Sequence, residues 1–162
     1  MQTMKLPILL GLVLTVCSCA SAPRCAGGPY DLGQFMDNLI TDEGSRPISS
    51  YFDFHIEAGA SVPLIMSYGS KRLAATIRTH NPREDASNHV TTLTLLGGDC
   101  IPWRNFIEEH EASVVQEPSQ PPVLPVGQIK RGRMVIDIAR GGAAGYCVHD
   151  IVIVRNRYAG KT

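Results

Sequence analysis

Asp53, His55 and Glu57 take alternate positions in the run from Ile48 to Ala58, and this acid–histidine–acid row is the part of the chain best equipped for chemistry. As a strand, the run would put all three side chains on one side, each about 6.5–7 Å from the next. Such a row can ligate a cation, accept hydrogen bonds from sugar hydroxyls or do general acid–base work. Tyr51 shares that face, and Tyr68 would lie beside it if its own strand pairs with the first. A flat aromatic platform next to carboxylates is how sugar-binding faces are commonly built. A strand face turned to water carries the same residue types by default, and that is the commoner origin of such a row. The expectation is a ligand-binding face of Tyr51, Asp53, His55, Glu57 and Tyr68, with no catalytic residue, no metal and no cofactor.

Other groups offer less. His80, Asp85 and His89 lie in or beside one loop, where a histidine–aspartate pair could hold a transition metal; a polar loop explains them without any ligand and is the favoured reading. Cys147 and His149 suggest a nucleophile and base, but alternation alone supplies no third group to orient them. His149 and Asp150 are adjacent on an expected strand, so their side chains should point to opposite faces and form no dyad. Lys130, Arg131 and Arg133 make a small basic run that could meet the acidic patch Glu108–Glu111. The chain has no G-x-S-x-G, H-E-x-x-H, Walker-type or dinucleotide glycine motif.

These groups have to be positioned by strands. Met134 to Ala139 and Tyr146 to Val154 are two β-rich runs, rich in isoleucine and valine, joined by the glycine-rich Arg140 to Gly145. A hairpin so apolar belongs inside a larger sheet. Val62–Tyr68 and Arg72–His80 read as a second hairpin turning at Gly69, and Val90–Leu96 as a strand with Leu93 and Leu95 inward. Trp103–Glu108 reads as another short strand. Tyr30–Ile40 spaces Leu32, Phe35, Met36, Leu39 and Ile40 in a helix-like pattern with Asp31 as N-cap. Ser119–Pro125 is a proline-rich connection unfit for a central strand. About seven to eight strands with turns roughly every ten residues fit an all-β antiparallel sandwich.

The N-terminus carries the most specific signal. Lys5 precedes the apolar Leu6–Val16, and small residues follow at Ser18, Ala20, Ser21 and Ala22. That run is too short to span a membrane and has the length of an export signal. Val16-Cys17-Ser18-Cys19 resembles the lipobox of bacterial lipoproteins, although Cys17 stands where a small or aliphatic residue is usual. The resemblance implies acylation of Cys19 and a lipid anchor on an envelope membrane; ordinary cleavage after Ala20 is the competing reading. Export permits disulfides among Cys25, Cys100 and Cys147, and the two placed in the folded part, Cys100 and Cys147, are the expected pair.

The expected domains are therefore 1–19 as export signal, 20–47 as tether and short helix, 48–156 as the sandwich and 157–162 as a polar tail. Lys and Arg number 15 and Asp and Glu 15, so no basic face argues for nucleic acid. Trp103-x-x-Phe106, an aliphatic strand, a glycine-rich turn and His149-Asp150-Ile151 resemble the C-terminal half of galactose-binding-like jelly rolls, which include many carbohydrate-binding modules. That resemblance implies a jelly-roll sandwich and a glycan ligand. The functional expectation is an exported, lipid-anchored, non-catalytic binding domain whose partner is a glycan or a protein surface. An envelope assembly subunit docking a protein is the alternative, and an envelope hydrolase using Asp53, His55 and Glu57 a third.

Overall fold

Among the described residues strands dominate, as the all-β expectation has it, and the eight of them join one mixed sheet in the order β1-β2-β3-β4-β8-β7-β6-β5. The computed structural model describes residues 29–80, 88–115, 125–141 and 145–156. The leader with Cys17 and Cys19, Cys25, Asp85, most of the proline-rich connection and the tail after Asn156 lie outside the described residues. The strands are β1 (Tyr30–Asp31), β2 (Ser61–Tyr68), β3 (Lys71–Thr79), β4 (Asn88–Gly98), β5 (Ser113–Val115), β6 (Val126–Arg131), β7 (Met134–Gly141) and β8 (Cys147–Asn156).

The two expected hairpins are present, with β2 against β3 and β7 against β8. A third, β6 against β7, closes through Gly132 and Arg133. Gly69 and Gly132 take φ of 58° and 51°, the left-handed backbone a two-residue reversal requires. Alternation then works as physics demands. Leu64, Met66, Leu73, Ala75, Ile77, Leu93, Ile129, Ile136, Ile138, Ile151 and Ile153 are buried on one face. Their neighbours Arg72, Ala74 and Arg78 are exposed on the other.

The sandwich expectation called for a second sheet over that apolar face. Among the described residues helices cover it instead. Helix α1 (Leu32–Thr41) buries Leu32, Phe35, Met36 and Leu39, and the Asp31 carboxylate caps it by accepting from the Gln34 amide at 2.8 Å. Helix α2 (Trp103–Glu109) replaces the strand expected at Trp103–Glu108. Its buried residues are Trp103, Phe106 and Ile107, spaced i, i+3, i+4, which is a helical stripe and not an alternation. The Trp103 indole donates to the Ile138 carbonyl at 2.8 Å, fixing α2 on β7. The jelly-roll assignment of the W-x-x-F segment to a strand is thus corrected.

The strand expected over Ile48–Ala58 is absent as well. Ile48–Tyr51 is a 3-10 turn, and bends follow it. Phe52 and Ile56 are buried nonetheless, because Phe52 packs among Tyr30, Phe35 and Phe54 with ring centroids 5.1–5.4 Å apart. Apolar residues two apart were satisfied by an aromatic cluster, with no ladder needed. Cys100 and Cys147 are disulfide-bonded, tying the segment after β4 to the start of β8.

Candidate functional site

Without the first strand, its row of side chains does not exist as a face. Asp53, His55 and Glu57 are exposed on irregular backbone, and the Tyr30 hydroxyl donates to the Asp53 carboxylate. Tyr51 sits edge-on to Phe35 and donates to Asp42 Oδ2 at 2.9 Å. Burial, and then the Asp42 carboxylate, push its phenol up to about 12. Tyr68 lies elsewhere, at the end of β2. Its ring packs on Phe106 of α2 and its hydroxyl donates to Glu109; burial first, and then that carboxylate, raise its pKa. The two tyrosines therefore serve α1 and α2 respectively and do not flank a common platform.

A built cavity lies instead where the core face of the sheet stops being apolar. Ile77, Leu93 and Ile153 give way one step along their strands to Thr79, Thr91, His89 and Arg155. Thr91 is only 2% exposed, and its hydroxyl stands 3.4 Å from that of Thr79. Across from them the chain leaving α1 runs as a wall, held by the Arg155 guanidinium donating to the carbonyls of Gly44 and Arg46. The cleft between encloses about 960 Å³. Ser45, Ser49, Thr79 and Thr91 supply hydroxyls, Glu43 and Arg133 opposite charges, and Pro47, Ile48 and Ile56 an apolar side.

The other sequence candidates are scattered. His80 bonds Thr92 on the open face of the sheet at 3.0 Å, while His89 lines the cleft. Arg131 of the basic run meets Glu111 at 3.9 Å, but both side chains are exposed and the pair adds little. His149 and Asp150 overturn their expectation. His149 Nδ1 lies 2.9 Å from Asp150 Oδ2, and Asp150 Oδ1 accepts from the Thr94 hydroxyl at 2.7 Å. The reason is a β-bulge: Ala139 faces Asp150 and Arg140 faces Val148, so His149 is an extra residue and alternation lapses there.

No family model, no curated protein and no solved structure matches this chain.

Two features of the site escaped the sequence. The cleft draws Glu43 and Ser45 from the end of α1, Thr79 and Thr91 from β3 and β4, and Arg133 from the β6–β7 turn, groups far apart in the chain. Thr79 and Thr91 did carry a signal, as polar residues on the apolar phase of their strands. His110 is the second. It caps α2 with its side chain 2% exposed, edge-on to Phe106 and 3.6 Å from Asp37 of α1. Burial lowers its pKa, against the opposing pull of Glu109 and Asp37. Among the described residues no cluster of His, Cys, Asp and Glu is arranged to hold a metal ion.

Proposed function

We propose that this chain is an exported, lipid-anchored and non-catalytic binding domain of the cell envelope, and that it takes a glycan in the cleft beside α1. The leader with its lipobox-like Val16–Cys19 supports the location, and the Cys100–Cys147 bond suits a protein that folds in an oxidising compartment. The cleft lining carries the ligand class. A lining that mixes hydroxyls and opposite charges with proline and isoleucine matches a molecule whose edges are hydroxyls and whose faces are C–H.

The test is a glycan array probed with the soluble domain, followed by titration of any hit. Binding that falls tenfold or more in both Glu43→Ala and Arg133→Ala supports the reading; no hit, or hits indifferent to both changes, refutes it. Intact mass of the mature N-terminus tests the anchor, since diacylglyceryl on Cys19 is expected and an unmodified Ser21 start excludes it. A second reading, an assembly subunit docking a protein, draws on β5, an edge strand whose Val114 and Val115 are 58% and 36% exposed. Crosslinking in intact cells that yields one dominant protein partner through β5 would favour it.

A further inference from the structure

Two irregularities of the sheet meet at one point. In β4, Ala74 faces Gly97 while Ala75 faces Leu95, so Leu96 is an inserted residue. In β8 the inserted residue is His149. These strands are neighbours, and their pairing ends at Thr94 and Asp150, two residues short of the insertion in β4 and next to the one in β8. Beyond that point β4 and β8 part, and the gap is bridged by the Cys100–Cys147 bond. The notch between them encloses about 270 Å³. It lies roughly 20 Å along the strands from the α1 cleft, six residues of β4 at about 3.3 Å each.

The lining is mixed in a specific way. Leu73, Leu95 and Val148 are buried around it, and Leu96 is held 61% exposed at its rim. Its polar side chains are Asp99, which accepts from the Arg72 amide at 3.2 Å, and His149, whose Nδ1 is 2.9 Å from Asp150 Oδ2. His149 Nδ1 stands against the Asp150 carboxylate, and in the neutral imidazole with its proton on Nδ1 toward that carboxylate, Nε2 is the acceptor. Thr94 in turn holds Asp150. Gly141 makes room for the ring: a Cβ there would stand 2.8 Å from both Cβ and Cγ of His149. Bulges next to sites re-aim side chains, and here two do so at one gap.

We propose that this notch binds an apolar ring or branched chain carrying a single hydroxyl, its body against Leu73, Leu95 and Leu96 and its hydroxyl donating to Nε2 of His149. The probes are p-cresol and toluene, which share a shape and differ in the hydroxyl. A site built to accept from a hydroxyl discriminates strongly against the analogue without one. Titration of isotope-labelled protein followed by NMR should show saturable shifts of the Leu95 and Leu96 methyls and of His149 Nε2. The expected affinity for p-cresol is at least tenfold that for toluene. His149→Phe should abolish the preference while leaving the fold, read from Trp103 fluorescence, intact. Thr94→Val, which frees Asp150, should weaken it. Shifts that do not saturate, equal affinity for the two probes, a proton found on Nε2 in the free protein, or a preference that survives His149→Phe would each overturn the proposal.

Discussion

Breaking the bond between Cys100 and Cys147 isolates a denatured-state effect. The two residues are separated by 47 positions. Closing a loop of that size removes about 14 cal/mol/K from the unfolded chain, or about 4 kcal/mol at room temperature on the loop-entropy model. The folded side should change little, because backbone bonds hold the same segments without the sulfurs. Val148 donates to the Ile101 carbonyl at 2.9 Å and Trp103 to that of Tyr146 at 2.7 Å. The clean comparison is Cys100→Ser/Cys147→Ser against the disulfide-bonded protein, both in a Cys25→Ser background that prevents reshuffling. Urea unfolding followed by the fluorescence of Trp103, the only tryptophan, reads the difference. With a slope of about 2 kcal/mol per molar urea, the midpoint should fall by roughly 2 M. A fall below about 0.5 M would refute the argument, showing that the unfolded chain gains almost no freedom when the link is cut.

Three further outcomes follow from particular contacts. His110 binds a proton less readily folded than unfolded, so the unfolded state takes up more protons and stability falls as pH drops from about 6.5 through the lowered folded value. His110→Phe, which keeps the edge-on packing against Phe106, should flatten that part of the stability–pH profile in chemical denaturation. Gly127→Ala would place a methyl 2.4 Å from Cγ2 of Ile107. Overpacking between β6 and α2 should cost about 1–3 kcal/mol in thermal unfolding, and Ile107→Ala in the same chain should recover part of it. Trp103→Phe removes the indole hydrogen bond to the Ile138 carbonyl, with an expected loss of about 1 kcal/mol measured by circular dichroism.

What could be read from the sequence depended on whether one face of a segment alone decided its structure. Val62–Tyr68, Arg72–His80 and Tyr146–Val154 each bury one face against a common core, so alternation placed them within a residue or two. The α1 helix was legible for the same reason, with apolar residues at helical spacing behind an Asp31 cap. Phe52, Phe54 and Ile56 mimicked alternation because aromatic rings reach one another without a ladder. Trp103–Glu109 is helical because its apolar residues Trp103, Phe106 and Ile107 recur at i, i+3, i+4, a period that the expected strand over Trp103–Glu108 does not have. The short β5 and β6 flank the proline-rich connection and carry little alternation of their own. The α1 cleft and the His149–Asp150–Thr94 chain were not legible, since the first depends on tertiary assembly and the second on a single inserted residue that breaks the period of two.

The strand order sets the sequence of events by which this sheet can be built. β1 to β4 follow one another directly, and so do β5 to β7, each as neighbours in both chain and space. β8, the last of the described strands, sits between β4 and β7 and is the only one to touch both groups. A chain emerging amino end first therefore carries two unfinished half-sheets, each with an apolar margin, until its final strand arrives to weld them. Everything upstream waits on ten residues, Cys147–Asn156. While those residues are withheld, the β1–β4 and β5–β7 groups have no strand to join them.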